Sequence, residues 1–242
     1  MNKKTLIFIV LLALLSVLAA GCGMDKSPIT MESEGVWNHY FVFPLSWMLI
    51  AVANLLNGSY GAAIILMTIF IRILLLPLFL KQQKSAKAMR DLKPEMERLK
   101  DKYDLKKEKE MQKYQREMLG LYQSNGINPA AGCLPIMVQL PILMAFYFAI
   151  MRTEEISSHS FLWMNLGQPD PFYIMPFLAG AAMFMQTKLG MNEMPANMKP
   201  AMYLMPVMLI GVGFALPSAL SLYWFAGSLF MITQTYLVLK IK

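Results

Sequence analysis

Residues 35–71, 118–151, 171–187 and 200–239 contain no Asp, Glu, Lys or Arg. A membrane-crossing helix needs about 20 apolar residues, with a workable range of about 17–25. The charge-free stretches therefore predict five spanning helices, at about 60–80, 131–151, 172–189, 201–216 and 219–239, the last two parted at Pro217–Ser218. Ahead of them, residues 36–58 mix Trp and Tyr with Asn38, His39, Asn57 and Pro44. Aromatic residues of this kind favour the membrane–water interface. The segment predicts an amphipathic helix lying on the outer surface, with a poor transmembrane helix as the alternative.

Past residue 81 the pattern changes. Met89, Leu92, Met96, Leu99 and Tyr103 step by three and four with mostly charged residues between them, and Met111, Tyr114, Met118 and Tyr122 repeat the stepping. That period marks one face of a helix. The break near Asp104–Leu105 predicts two antiparallel amphipathic helices joined by a short turn, ended by Gly126, Asn128 and Pro129.

Composition agrees with the pattern. Apolar residues make up 57% and charged residues 15%, against about 45–50% and about 25% in soluble domains. These values argue against a soluble enzyme and, despite a formal charge of +7, against a nucleic-acid-binding domain. Charge placement sets the direction. With five spans, 19 of the 22 Lys and Arg fall on the cytoplasmic side, 13 of them in residues 81–117, and only Lys26 and Arg152 fall outside. Basic residues accumulate on the cytoplasmic side of membrane proteins, so the C-terminus is expected inside.

Lys3 and Lys4 precede the apolar run Thr5–Leu18, and Ala19, Ala20 and Gly21 precede Cys22. This is the layout of a cleaved secretory signal over residues 1–21. A cysteine at this point matches a bacterial lipobox, in which Cys22 carries lipid. The other cysteine, Cys133, lies in an apolar run and reads as a small buried residue. With no CxxC or Cys/His cluster, no metal or other cofactor is implied. GxxxxGK[ST], HExxH and GxSxG are absent, so no catalytic residue is expected.

Arg72 is the remaining basic residue and lies near the middle of the first span. An arginine there costs about 2.5–3.5 kcal/mol on insertion scales. No predicted span holds an acid to neutralise it, and snorkelling past the nine residues to Lys81 would strain the side chain. The reading left is a water-filled, positively charged cavity. Thr68, Gln139, Gln186, Thr187, Ser221, Tyr223, Trp224, Ser228, Thr233 and Gln234 are polar span residues able to line it. Each could also form ordinary interhelical hydrogen bonds.

Several ordered segments carry a family resemblance: TIFIRILLLPLFLKQQKSAKAMRDLKPEMERLKDKY, GINPAAGCLPIMVQLPILMAFYFAI, SFLWMNLGQPDPFYIMP and LPSALSLYWFAGSLFMITQTYL. With the lipobox, they resemble the YidC-type membrane protein insertases (the YidC/Oxa/Alb family) in their Gram-positive lipoprotein form. The resemblance implies an all-α membrane protein over residues 59–242, preceded by an extracytoplasmic segment at 22–58. It implies five transmembrane helices enclosing a hydrophilic groove open to cytoplasm and lipid, and a cytoplasmic hairpin at 82–124. It makes Arg72 the groove cation, with Gln139, Gln186 and Trp224 as lining residues. The implied partners are nascent membrane proteins, the ribosome, a Sec translocon and the lipid bilayer, with no specific nucleic-acid sequence. Rival readings are a small-solute transporter and a structural assembly factor; the halves of the chain show no internal repeat of the kind transporters carry.

Overall fold

The computed structural model describes residues 27–127, 134–190 and 199–240. The expected signal peptide, Cys22 and Cys133 lie outside them. A π-turn at Asn38–Val42 runs into α1 (Phe43–Leu55), with Pro44 in the first turn, where its missing N–H costs nothing. α2 (Tyr60–Leu74), α3 (Leu76–Asp91), α4 (Lys93–Asp101) and α5 (Glu108–Ser124) follow, then α6 (Leu134–Met151) and the short α7 (Glu154–Ser157). A two-stranded antiparallel hairpin, β1 (Ser160–Phe161) and β2 (Met164–Asn165), leads to α8 (Ile174–Gly190), α9 (Lys199–Gly213) and α10 (Ser218–Lys240).

The first expected span departs from one straight helix. It breaks at Leu75 and bends by 54°. Pro77 is the cause, because it has no N–H for the Ile73 carbonyl and its ring crowds that carbonyl. Pro94 breaks the next helix at Leu92 in the same way. Pro176, by contrast, sits in the first turn of α8 and does not kink it. Among the described residues no single helix is both long and apolar enough to cross a membrane; Tyr60–Leu74 with Leu76–Met89 reaches that length and composition as a bent pair, and Met137–Met151 and Met202–Gly213 are shorter apolar helices.

α10 packs against α8 and α2, α8 against α9, and α1 against α2 and α6. Leu45, Leu49 and Ala53 step along the buried face of α1 into the cluster formed by Ile64, Phe146, Ile150, Leu220 and Tyr223. Outward-facing positions are apolar as well, including Phe70 and Leu74 on α2, Phe177 and Met185 on α8, and Leu204 and Val207 on α9. Gly180 lets α9 approach α8 closely, since a β-carbon there would lie 2.3 Å from Ile210. The hairpin has its own small core, in which Leu92, Tyr122 and Ile127 pack with Met89, Met96 and Met118. The turn joining its limbs falls at residues 102–107, where the apolar stepping breaks.

The loop after α6 is a tightly bonded cap. Arg152 is buried, and its Nε and Nη1 donate to the Ser27 carbonyl and to Asn38 Oδ1, both at 2.8 Å. Ile29 N–H donates in turn to the Arg152 carbonyl. Phe161 covers Gly61 at the start of α2. The Ser218 and Ala219 N–H groups at the start of α10 donate to the carbonyls of Gln168 and Leu166. Asp170 is fully buried and accepts from Trp163 Nε1 (3.0 Å), Phe172 N (3.1 Å) and Met175 N (2.7 Å), so it caps α8. One loop thus fixes one end of four helices. Hydrogen bonds to a charged group contribute about 1.5–3 kcal/mol each, and leaving buried donors unpaired costs more. Asp170→Ala is expected to destabilise the protein by roughly 3 kcal/mol. Thermal unfolding in detergent checks this, and Asp170→Asn, which keeps an acceptor, should fall between the two.

Candidate functional site

Arg72 is two residues before the end of α2 and half-buried. Side chains on a helix lean toward its N-terminus, so the arginine reaches back along the bundle toward the capped end. Its guanidinium lies on the backbone of α10 at Gly227: a β-carbon there would sit 2.9 Å from Nη2, 3.3 Å from Nε and 3.5 Å from Cζ. Gly227 is nine residues into α10, about 13 Å from the capped end at 1.5 Å per residue. Among the described residues no hydrogen bond or ion pair reaches Arg72. The buried Tyr223 lies one turn before Gly227 on the same helix.

Tyr223 is held from two sides. Gln139 Nε2 on α6 donates to its hydroxyl at 2.6 Å, and the Phe146 ring lies 4.6 Å away, centroid to centroid. Trp224, half-buried, is the neighbouring residue on α10. Arg72, Tyr223 and Gln139 are therefore brought together by α2, α10 and α6. The other candidates sit differently. Thr68 is fully buried and donates to the Ile64 carbonyl of its own helix at 2.6 Å. Ser221 faces away from Gly227, against Pro176 and Gly213, where a β-carbon on Gly213 would lie 3.2 Å from its Oγ. Gln186 is half-buried on α8, and no hydrogen bond ties it to Arg72. Thr187 and Gln234 are buried, and the Gln234 amide nitrogen has no partner among the described residues.

The hairpin gathers polar groups of another kind. A cleft of about 620 Å³ between α4 and α5 is lined by Arg98, Leu99, Lys102 and Glu117, among others. Glu117 accepts from the Tyr103 hydroxyl at 2.5 Å and from Lys102 Nζ at 3.1 Å. These bonds hold its carboxyl below the usual glutamate range, and Glu117 raises Lys102 above the usual lysine range.

Sequence reasoning missed Gly227 and Asp170. A lone glycine inside an otherwise good helical pattern was the signal for the first. An Asp just before a helix start was the signal for the second.

Helices with apolar outer faces, and an arginine between two of them that no acid neutralises among the described residues, fit a helical membrane protein. The chain belongs to the 60Kd inner membrane protein family, whose model matches residues 51–242, and within it to the YidC-type insertases. It is 56% identical over 237 residues to the membrane protein insertase YidC of Alkalihalophilus pseudofirmus, covering 97% of this chain and 94% of that one. It is 51% identical over 225 residues to the membrane protein insertase MisCA of Bacillus subtilis, covering 92% and 86%. A crystal structure of an active YidC insertase with its first transmembrane domain resolved matches 97% of this chain with a TM-score of 0.67 at 30% identity. This chain spans about half (53%) of the length of that one.

Proposed function

We propose that this chain is a membrane protein insertase of the bacterial cell membrane. It crosses the bilayer five times with its C-terminus in the cytoplasm, and a lipid on Cys22 anchors the mature N-terminus at the outer face. The helices enclose a groove open to cytoplasm and lipid and closed outside by the 152–170 cap. Arg72 is the groove's cation, Tyr223, Gln139 and Trp224 form its wall, and Gln186 borders it; Ser221 and the buried Thr68 lie outside it. A nascent segment, delivered by the ribosome or handed over at a Sec translocon, meets the hairpin and enters from the cytoplasm. Its short polar end is solvated in the groove with an acidic side chain near Arg72, which lowers the cost of moving polar groups through hydrocarbon. The apolar span then leaves sideways into lipid. Burying about 20 apolar residues at about 25 cal/mol per Å² supplies the free energy, so no nucleotide is consumed.

The observation that carries this reading is the guanidinium of Arg72, seated between α2 and α10 with no acid or hydrogen-bond acceptor on it among the described residues. A structural arginine at that depth would be neutralised. Purified protein in sealed vesicles, without nucleotide, is expected to insert a small one-span protein whose short N-terminal tail carries Asp or Glu; protease protection of the tail is the readout. The same vesicles should show no saturable uptake of small anions, which is where a solute carrier would differ.

The anchor has its own test. Cys22→Ser is expected to abolish acylation and to leave an uncleaved precursor. Intact mass spectrometry of wild type and variant reads both, and a wild-type chain beginning at Met1 would refute the lipid anchor.

A further inference from the structure

Glycine is the poorest helix former after proline, yet Gly227 stands in the interior of α10, the longest helix among the described residues. Glycines inside membrane helices usually admit a neighbouring helix. Gly180 does so here, and an apolar Ile210 fills its notch. The notch at Gly227 is filled instead by the charged head of Arg72, and the three atoms nearest to an added β-carbon are all guanidinium atoms.

We infer that Gly227 is the positioning residue for Arg72: the missing side chain gives the flat guanidinium a berth on the α10 backbone. The berth holds the cation by surface contact alone. Hydrogen bonds from protein acceptors would fix it equally well but would consume its N–H groups, and among the described residues none does so. Arg72 has five donors in a rigid fork. Seated on Gly227, it keeps them free for the carboxylate or carbonyl oxygens of an entering chain. This inference rests on the insertase reading of Arg72 and adds what sets the cation's place.

The test is a double-mutant series in proteoliposomes, scored by insertion of an acid-bearing one-span substrate and, in parallel, by thermal stability in detergent. A β-carbon at residue 227 displaces the guanidinium, and misplacement of a working group by about 1 Å can cost up to about a hundredfold. Gly227→Ala is therefore expected to cut insertion roughly tenfold with unchanged or higher thermal stability, because alanine is the better helix former. Lysine ends short of the Nη2 position, so Gly227→Ala combined with Arg72→Lys should insert as well as Arg72→Lys alone. Combined with Arg72→Ala, Gly227→Ala should have no further effect. Full insertion by Gly227→Ala overturns the berth, as does a loss equally large in the Arg72→Ala background, which would make Gly227 a helix-packing residue. Normal insertion by Arg72→Ala itself overturns the underlying reading instead, so the two failures are told apart.

Discussion

Arg72→Ala is expected to reduce insertion of substrates with Asp or Glu in the translocated segment by about ten- to a hundredfold, while leaving the protein as abundant and as heat-stable as wild type. The magnitude follows from one charge-assisted hydrogen bond, about 1.5–3 kcal/mol, withdrawn from the step in which the polar segment occupies the groove. The stability half follows from the missing partner. Removing one member of a buried ion pair strands the other and is strongly destabilising, but among the described residues nothing on Arg72 would be stranded. Substrates without acidic residues should be less affected. Arg72→Lys should retain substantial function, since a positive charge remains. Membrane abundance and melting temperature measured beside insertion separate the readings: low abundance with normal specific activity would make Arg72 a structural residue and end the groove hypothesis.

Replacing residues 84–120 with a Gly/Ser linker should lower insertion about tenfold or more at low salt and leave the helical bundle folded. The bundle should survive because the hairpin's buried side chains form a cluster separate from the main core. Insertion should fall because residues 81–117 carry 13 basic and 8 acidic side chains on the expected cytoplasmic side, and charge of one sign raises encounter rates by about 10–10³. That contribution is screened within about 8 Å at physiological salt, so the defect should shrink as salt rises. Full activity of the linker variant at low salt would leave the hairpin without a role in capture.

How much of this was legible in the sequence depended on whether a signal was local. Helix positions were, because charge-free runs and three-to-four stepping are short-range patterns. The α6 and α8 boundaries, the hairpin turn and the Pro217–Ser218 division all fall close to where those patterns end. The 54° bend at Leu75 was local too, but Pro77 was read as part of an unbroken span. The candidate site divided differently. Arg72 stood out because a charge in an apolar run is anomalous wherever it points. Ser221 and Tyr223 sit two residues apart on one helix and were grouped together, although helical periodicity turns them to opposite faces. Which face meets α2 is decided by packing between helices far apart in sequence, and no local pattern carries that. Asp170 escaped for a related reason: its three donors include an indole seven residues away, gathered only once the loop folds.

The seat of Arg72 on Gly227 also sets an order of events in this protein's own birth. Arg72 leaves the ribosome with α2, whereas Gly227 belongs to α10, the last of the described helices. At about 5–20 residues per second, the arginine waits roughly eight to thirty seconds for the helix that will receive it. The cap waits as long, because Ser218 and Ala219 complete it. Until then the guanidinium has neither the α10 berth nor the completed cap. On the function proposed above, the nascent chain would itself carry the kind of polar group whose passage the finished protein eases in others.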